Sequence, residues 1–426
     1  VSDWGTWIVL HNILVSILLS LGGAPILVWM ERRIAGFIQD RLGPNRCHIG
    51  GVRLFGIVQS LADMLKLVFK EDYKPLHVKE NFLFTLAPVI VFVSAFLTFM
   101  VMPLADDLII NNKSYSMQAL PISFGLLWFL ALAGLSVYGI LLGGWASDNK
   151  YAMLGALRAS AQVISYEASM GLALVSILIV YGTIHLNEMV QFQSGLIFGF
   201  IPAWGVVLQP LAAIIFIVTA FAETNRAPFD MAEGESEIVG FHTEYSAMRF
   251  GLFFVGEYVA MCASSAFIVT LFFGGYNIPW LSTEVLKNNL PTLFVFLALI
   301  LAFLAWGFIV WMQKQNRWPD RDDPRFNETK LLKKIIIGFT AILIALLLAL
   351  SWFEIGQTGR ALGAASLQIA SFAIKVYLMN FVFIWVRWTL PRFRYDQLQY
   401  LGWKVLLPLS LLNVAITAIV VVGGGL

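Results

Sequence analysis

Charge is scarce in this chain. Only 13% of its 426 residues are Asp, Glu, Lys or Arg, about half the share of an ordinary soluble domain. Cysteine is scarcer still: Cys47 and Cys262 stand far apart, with no Cys-x-x-Cys pair and no Cys/His cluster. The chain alone therefore cannot hold an iron–sulfur cluster or a structural zinc. No Gly-x-Gly-x-x-Gly and no Walker-type Gly-Lys-Ser/Thr motif occurs. Neither a dinucleotide nor a nucleoside triphosphate finds its usual cradle. There is no internal repeat and no low-complexity segment.

What is abundant is apolar sequence, 59% of the chain. Several apolar runs reach about 20 residues, enough to cross a hydrocarbon core of ~30 Å. A soluble core would need far shorter runs. The sequence therefore predicts an all-α polytopic membrane protein, one membrane domain over 1–426, with ten spans: 7–30, 82–104, 121–146, 160–184, 203–222, 248–275, 290–312, 335–353, 367–389 and 404–422. The first run ends in Glu31-Arg32-Arg33 and has no basic segment before it, so it reads as a retained span and not a cleaved signal.

Basic residues give the orientation. Of 28 Lys and Arg, 24 fall in the connections at 31–81, 147–159, 223–249, 313–334 and 387–404, and only Lys113, Lys287 and Arg360 lie on the other side. This asymmetry puts the charged connections in the cytoplasm and both termini outside. Residues 54–72 form an amphipathic helix instead of a span. Gln59, Asp63, Lys66 and Lys70 make one polar stripe opposite Leu54, Ile57, Val58, Leu61, Leu65 and Val68, which suits a helix lying in the interface or roofing a cavity. A weaker interfacial segment is 185–193 on the outer side.

Five features carry candidate chemistry. The stretch ERRIAGFIQDRLGPNR (31–46) follows the first span. A basic lipid anchor explains its arginines but neither Glu31 at the membrane edge nor the Gly43-Pro44-Asn45 turn. Glu167 falls about two turns inside the fourth span, and Glu257 about two turns inside the sixth. The connection AETNRAPFDMAEGESEIVGFHTEYS (222–246) holds Glu223, Asp230, Glu233, Glu235, Glu237 and Glu244 against Arg226 and His242. Carboxylates in lipid are costly and face a bundle interior or a watery cavity. Snorkelling would explain one of them, but Glu is too short for it to explain Glu167, Glu223, Glu237 and Glu257 together. Lys375 stands 12 residues before Arg387, roughly 18 Å deeper along a helix. At that depth it needs an acidic partner, either as a structural pair or as a proton relay. Acids entering from the cytoplasmic side can form a hydrated polar path whose members exchange protons near neutral pH.

The same residues carry a resemblance. ERRIAGFIQDRLGPNR, QSLADMLKLVFKED, GWASDNKYAMLGALRASAQVISYE, AETNRAPFDMAEGESEIVGFHTEYS and IWVRWTLPRFRYDQLQYLGWKVLLPL resemble the H-subunit family of respiratory NADH:quinone oxidoreductase, complex I, whose mitochondrial counterpart is NADH dehydrogenase subunit one. The motifs cover most cytoplasmic connections and eight of the ten spans. The resemblance implies a subunit that joins the peripheral electron-transfer arm to the proton-pumping membrane arm. It places Glu31, Arg32, Arg46 and Asp63 on the side of a quinone chamber, with Phe37, Ile38 and Phe55 as candidates for its lining. It places Glu167, Glu223, Glu237 and Glu257 on an acidic path from that chamber, to which the residue reading adds Lys375. No catalytic acid and no metal ligand is assigned. Quinone is expected as substrate, with NADH, FMN and iron–sulfur clusters on partner subunits and no cofactor on this chain. The expected partners are the quinone-site and iron–sulfur subunits of the peripheral arm, neighbouring membrane-arm subunits and lipid, with no nucleic acid. The expected location is a bacterial inner membrane with periplasmic termini.

Two departures from the family pattern stand out. EIVGFH, between Glu237 and His242, is one small residue shorter than the pattern. Spans 290–312 and 335–353 are additional to an eight-span family core, as an inserted hairpin over 285–360. Three other readings compete. The membrane subunit of an energy-converting hydrogenase would share the polar path without a quinone. A secondary transporter would use an inverted repeat, which is missing. A passive anchor leaves the buried acids unexplained.

Overall fold

The computed structural model describes residues 4–41, 43, 44, 46–49, 54–110, 112–197, 199–232, 240–315, 324–352 and 356–424. The expectations for Glu233, Glu235 and Glu237 fall outside these residues, as does the charged 316–323 segment.

Helices account for nearly all regular structure. The first span is α1 (Trp4–Ser20) and α2 (Ala24–Ile38), broken between them. Pro25 lacks the N–H that would continue the ladder. Near the break, the Leu19 carbonyl meets the Tyr377 hydroxyl at 3.4 Å and the Cys262 thiol at 3.6 Å. Then come α3 (Ile57–Phe69), α4 (Asn81–Phe99), α5 (Gly125–Ala146), α6 (Lys150–Tyr181), α7 (Leu186–Phe192), α8 (Gly205–Leu208), α9 (Pro210–Glu223) and α10 (Ala247–Phe272). The chain continues through α11 (Thr283–Asn288), α12 (Leu290–Gln315), α13 (Pro324–Trp352), α14 (Gln357–Thr389), α15 (Tyr395–Tyr400) and α16 (Leu407–Val422). A π-helical turn over Leu401–Leu406 joins α15 to α16. Two short hairpins, β1 (Leu108–Ile110) with β2 (Lys113–Tyr115) and β3 (Leu196–Ile197) with β4 (Ile201–Pro202), are antiparallel.

Each expected span coincides with helical structure, but the extents differ; α13 and α14, for example, begin about ten residues before the predicted spans 335–353 and 367–389. The predicted span 203–222 is two pieces, α8 and α9, because Gln209-Pro210 interrupts it. Gln209 is buried there and trades hydrogen bonds with Asn413 and Thr417 of α16. Helix α9 is only 14 residues long, about 21 Å. Helix α6 starts ten residues before the predicted span, because Asn149 accepts the Tyr151 N–H as an N-cap and nothing breaks the helix afterwards. Helix α2 runs past residue 30 to Ile38, so Glu31, Arg32 and Arg33 sit on a helix.

Helix α10 is the hub. Of its most apolar stretch, 72% is buried inside the chain. Ala263, Ser264, Ser265 and Ala266 let neighbours approach closely. Helices α4, α14 and α3 pack on it. By contrast, only 11% of the most apolar stretch of α12 and none of that of α13 is buried.

The connections segregate to two ends. At one end Asn12 donates to the carbonyls of Ser116 and Gln118, and Asp106 and Asp107 bond to Gln191, Thr283 and Asn187. At the other, Ser246 bonds to Tyr73, Asn149 to Glu244, and Arg392 to Asp230. The described parts of the acidic connection, 224–232 and 240–246, and the ends of α2 and α14 meet at this second end. Two groups at the first end are perturbed. Burial, with Asp106 alongside, raises the pKa of Asp107, and burial beside the same acids raises that of Tyr276.

Candidate functional site

Glu31 is the centre of the site. It is 7% exposed. Arg387, at the end of α14, reaches its Oε1 at 2.7 Å. The Tyr258 hydroxyl of α10 donates to its Oε2 at 2.7 Å, and Arg226 Nη1 lies 3.5 Å from the same oxygen. The Arg226 guanidinium stacks over the Tyr258 ring at 4.1 Å. A buried arginine, a partly exposed one and a phenol thus converge on one buried carboxylate. Such a site is stable only while every partner is present.

Further acids continue from this centre. Glu257, beside Tyr258 on α10, meets His242 Nε2 at 3.3 Å and lies in the field of Arg226 and Arg387. His242 is fixed between the rings of Phe241 and Phe253. Glu223 closes α9, and its Oε2 is buried with no hydrogen-bond partner among the described residues. Its neighbouring charge is Glu167 of α6, which faces Gly134 of α5: a Cβ there would stand 3.3 Å from Glu167 Oε1. A buried carboxylate oxygen without a partner is rare in proteins and marks water or function.

A cleft opens beside this network, between α2, α3 and α10. It is narrow, with room of about 50 Å³, and is walled by Pro25, Val28, Met64, Leu67 and Phe254. Asp63 and Tyr258 are its polar groups, with Ser60. Asp63 pairs with Arg32 at 2.6 Å and accepts from Gln59 at 3.1 Å. Tyr258 therefore belongs both to the cleft wall and to Glu31.

The start of α3 is locked in an unusual way. Leu54, Phe55 and Gly56 all have positive φ, at 46°, 56° and 88°. The first two are strained for residues with a Cβ. Gly56 has no alternative, since a Cβ would stand 2.3 Å from the Pro44 carbonyl oxygen. Three donors converge on the Phe55 carbonyl: Trp29 Nε1 at 2.8 Å, Arg33 Nε at 3.0 Å and Arg33 Nη2 at 2.7 Å.

The residues singled out from sequence are distributed as follows. Asp63 lines the cleft, Arg32 holds it, and Glu31 lies behind Tyr258. Arg46 is exposed on the loop after α2. Phe37 and Ile38 are half-exposed at the end of α2, and Phe37 and Phe55 turn toward α12 and not into the cleft. Glu223 and Glu167 neighbour each other, and Glu257 stands with His242 in the field of Arg226 and Arg387. Lys375 departs from expectation. Its ammonium is held by the backbone carbonyls of Phe273, Gly275 and Asn277 at 2.9, 3.0 and 2.6 Å, beside Trp204, and not by a carboxylate. Carbonyls left free past the end of α10 satisfy the charge that an acid was expected to satisfy. Among the described residues no group of three or more His, Cys, Asp or Glu side chains is placed to hold a metal ion.

Sequence reasoning missed Tyr258, Arg387, Trp29 and Arg33 as site residues. It also missed the Asp230–Arg392 pair at 2.9 Å. The adjacency of Tyr258 to Glu257 and the position of Arg387 at a span end were the available signals.

The fold and site together define a polytopic all-α membrane protein with a buried acid–arginine network beside an apolar cleft. The NADH dehydrogenase family matches residues 10–318 and 326–418, and the chain belongs to that family. It is 38% identical to the H subunit of NADH-quinone oxidoreductase from Bdellovibrio bacteriovorus, over 96% of this chain and 95% of that protein. It is 38% identical to the corresponding H subunit from Salinibacter ruber over 98% and 95%, and 40% identical to NADH-quinone oxidoreductase subunit 8 of Rhodothermus marinus over 93% and 92%.

Proposed function

We propose that this chain is the membrane subunit of a proton-translocating NADH:quinone oxidoreductase in which it forms part of the quinone chamber and an acidic coupling path. The observation that carries the reading is Tyr258. One side chain stands in the wall of an apolar cleft and donates to the buried Glu31. An apolar cleft with a few placed polar groups suits a lipid-soluble quinone. NADH, FMN and iron–sulfur chemistry are supplied by partner subunits, and electrons reach the quinone from them.

This chain's own residues receive the charge change. A unit charge arriving about 4 Å from another is worth about 4 kcal/mol at an effective dielectric near 20. A change at the cleft acts first on Tyr258 and the Arg32–Asp63 pair. Glu31 then shares Arg226 and Arg387 with Glu257, so a shift of either arginine toward one acid weakens the hold on the other. Glu257–His242, Glu223 and Glu167 extend the response along the bundle, with Glu237 as a further member on sequence grounds. Lys375, with its three carbonyl partners, serves as an anchor of the outer end in this reading. The charged connections face the cytoplasm, and both termini face the periplasm of a bacterial inner membrane.

The test is Tyr258→Phe and Asp63→Asn in the assembled complex. Both should lower inhibitor-sensitive quinone reduction while NADH oxidation by an artificial acceptor at the peripheral arm persists. Normal quinone reduction in both variants would contradict the reading.

A further inference from the structure

The α12–α13 hairpin buries little of its apolar surface inside the chain, yet its inner contacts fall at the cleft's foundation. At its outer end α12 is seated through Leu290, Phe294 and Ala298, all buried. At its other end Met312 is buried, and two rings meet the α2–α3 junction. Trp311 packs edge-on against Phe37 with centroids 6.4 Å apart. Phe308 packs against Phe55 at 6.0 Å, and Phe308 and Trp311 touch each other at 5.7 Å. Four rings thus form one continuous chain from the end of α2 to the turn that begins α3.

That turn is strained and held from two sides. Three N–H donors fix the Phe55 carbonyl, and Phe308 covers its ring. Strained backbone persists only where surroundings over-determine it. Helix α3 hangs from this turn and carries Ser60, Asp63, Met64 and Leu67 into the cleft wall. Its position against α2 and α10 sets how wide the cleft is.

We propose that α12 braces the cleft: Phe308 and Trp311 are positioning residues that hold the α2–α3 junction and thereby set the passage for the tail of a long-chain quinone. The inference rests on the quinone reading above. It gives the α12–α13 hairpin a role in substrate handling that a hairpin packed only at the periphery would lack.

The experiment compares Phe308→Ala/Trp311→Ala with a control, Trp306→Ala, in the assembled complex. Trp306 lies on the same helix, 63% exposed within the chain, away from the junction. The substrates are a quinone with a long isoprenoid tail and one with a short tail. The expected result is about a fivefold rise in apparent KM for the long-tailed quinone, of the size that one aromatic pair supports. The short-tailed KM and both kcat values should stay within about twofold. Trp306→Ala should change nothing. If the double variant fails to assemble, Phe308→Leu, which keeps bulk but loses the ring contact, carries the same comparison. An unchanged long-tail KM in an assembled variant, or an equal shift with Trp306→Ala, would overturn the brace. Asp63→Asn separates the two claims. Normal quinone kinetics in that variant and in Tyr258→Phe would overturn the quinone reading itself.

Discussion

Arg387 and Glu31 come from opposite ends of the chain, and their charged atoms lie 2.7 Å apart. The contact ties α14 to α2 at the level where the first span leaves its apolar run. With Tyr258 and Arg226 it gives Glu31 three partners on three elements. Removing the carboxylate leaves two guanidiniums facing one another in a buried site. Glu31→Gln should therefore destabilise the subunit by about 3–5 kcal/mol, the cost of breaking a buried pair. Tyr258→Phe removes one charge-assisted hydrogen bond, and about 1.5–3 kcal/mol is expected. Thermal unfolding of the purified complex in detergent checks the order; a larger loss for Tyr258→Phe would contradict it.

Lys375 should behave differently from the acids. Its three carbonyl partners cap backbone past α10, and no acid among the described residues depends on it. Lys375→Met is expected to lower the thermal midpoint while leaving the number of protons moved per NADH unchanged. A changed stoichiometry at normal stability would return Lys375 to the proton path.

Asp107 offers a stability test with a pH sign. Its pKa is raised in the folded chain by burial and by Asp106. The folded state therefore holds the proton more tightly than the unfolded state does. This contribution to stability is present below the ordinary carboxylate range and is lost as pH rises through the folded value. Asp107→Asn should raise the thermal midpoint at neutral pH and make little difference in acid. Asn187 donates to Asp107 Oδ1 at 3.1 Å, a bond that the amide oxygen of the replacement side chain can still accept. A lower midpoint at neutral pH would contradict the account.

Orientation is checked by labelling. Single cysteines near Lys150 and Lys330 should react with a membrane-impermeant thiol reagent only from the cytoplasmic side. Reaction of either from the outside of sealed cells would contradict the arrangement proposed above.

Hydropathy made the spans legible, since the requirement to cover ~30 Å of hydrocarbon is written in run length alone. It could not show the break at Gln209-Pro210, because the apolar residues continue on both sides and the polar one finds partners on α16. Nor could it show that α6 and α2 outrun their apolar runs. Helices end where a cap or breaker acts, not where polarity begins. The acids of the site were legible by their cost in lipid. Their partners were not, because Arg387, Tyr258 and Arg226 reach Glu31 across long stretches of sequence. Lys375 misled for a related reason. Depth along a helix signals that a charge needs a partner, but backbone carbonyls serve as well as a carboxylate. The surroundings of Phe37 and Phe55 turned on α12, which meets them from a distant part of the sequence.

The central claim is that the buried acids couple quinone reduction to proton movement. It is tested most directly with Glu223→Gln and Glu257→Gln complexes in sealed vesicles. NADH:quinone activity, proton uptake and NADH oxidation by an artificial acceptor are measured side by side. The account predicts that quinone reduction and proton translocation fall together, by about tenfold, equivalent to some 1.4 kcal/mol on the barrier. The artificial-acceptor rate should stay intact. Full coupled activity in both variants would contradict it.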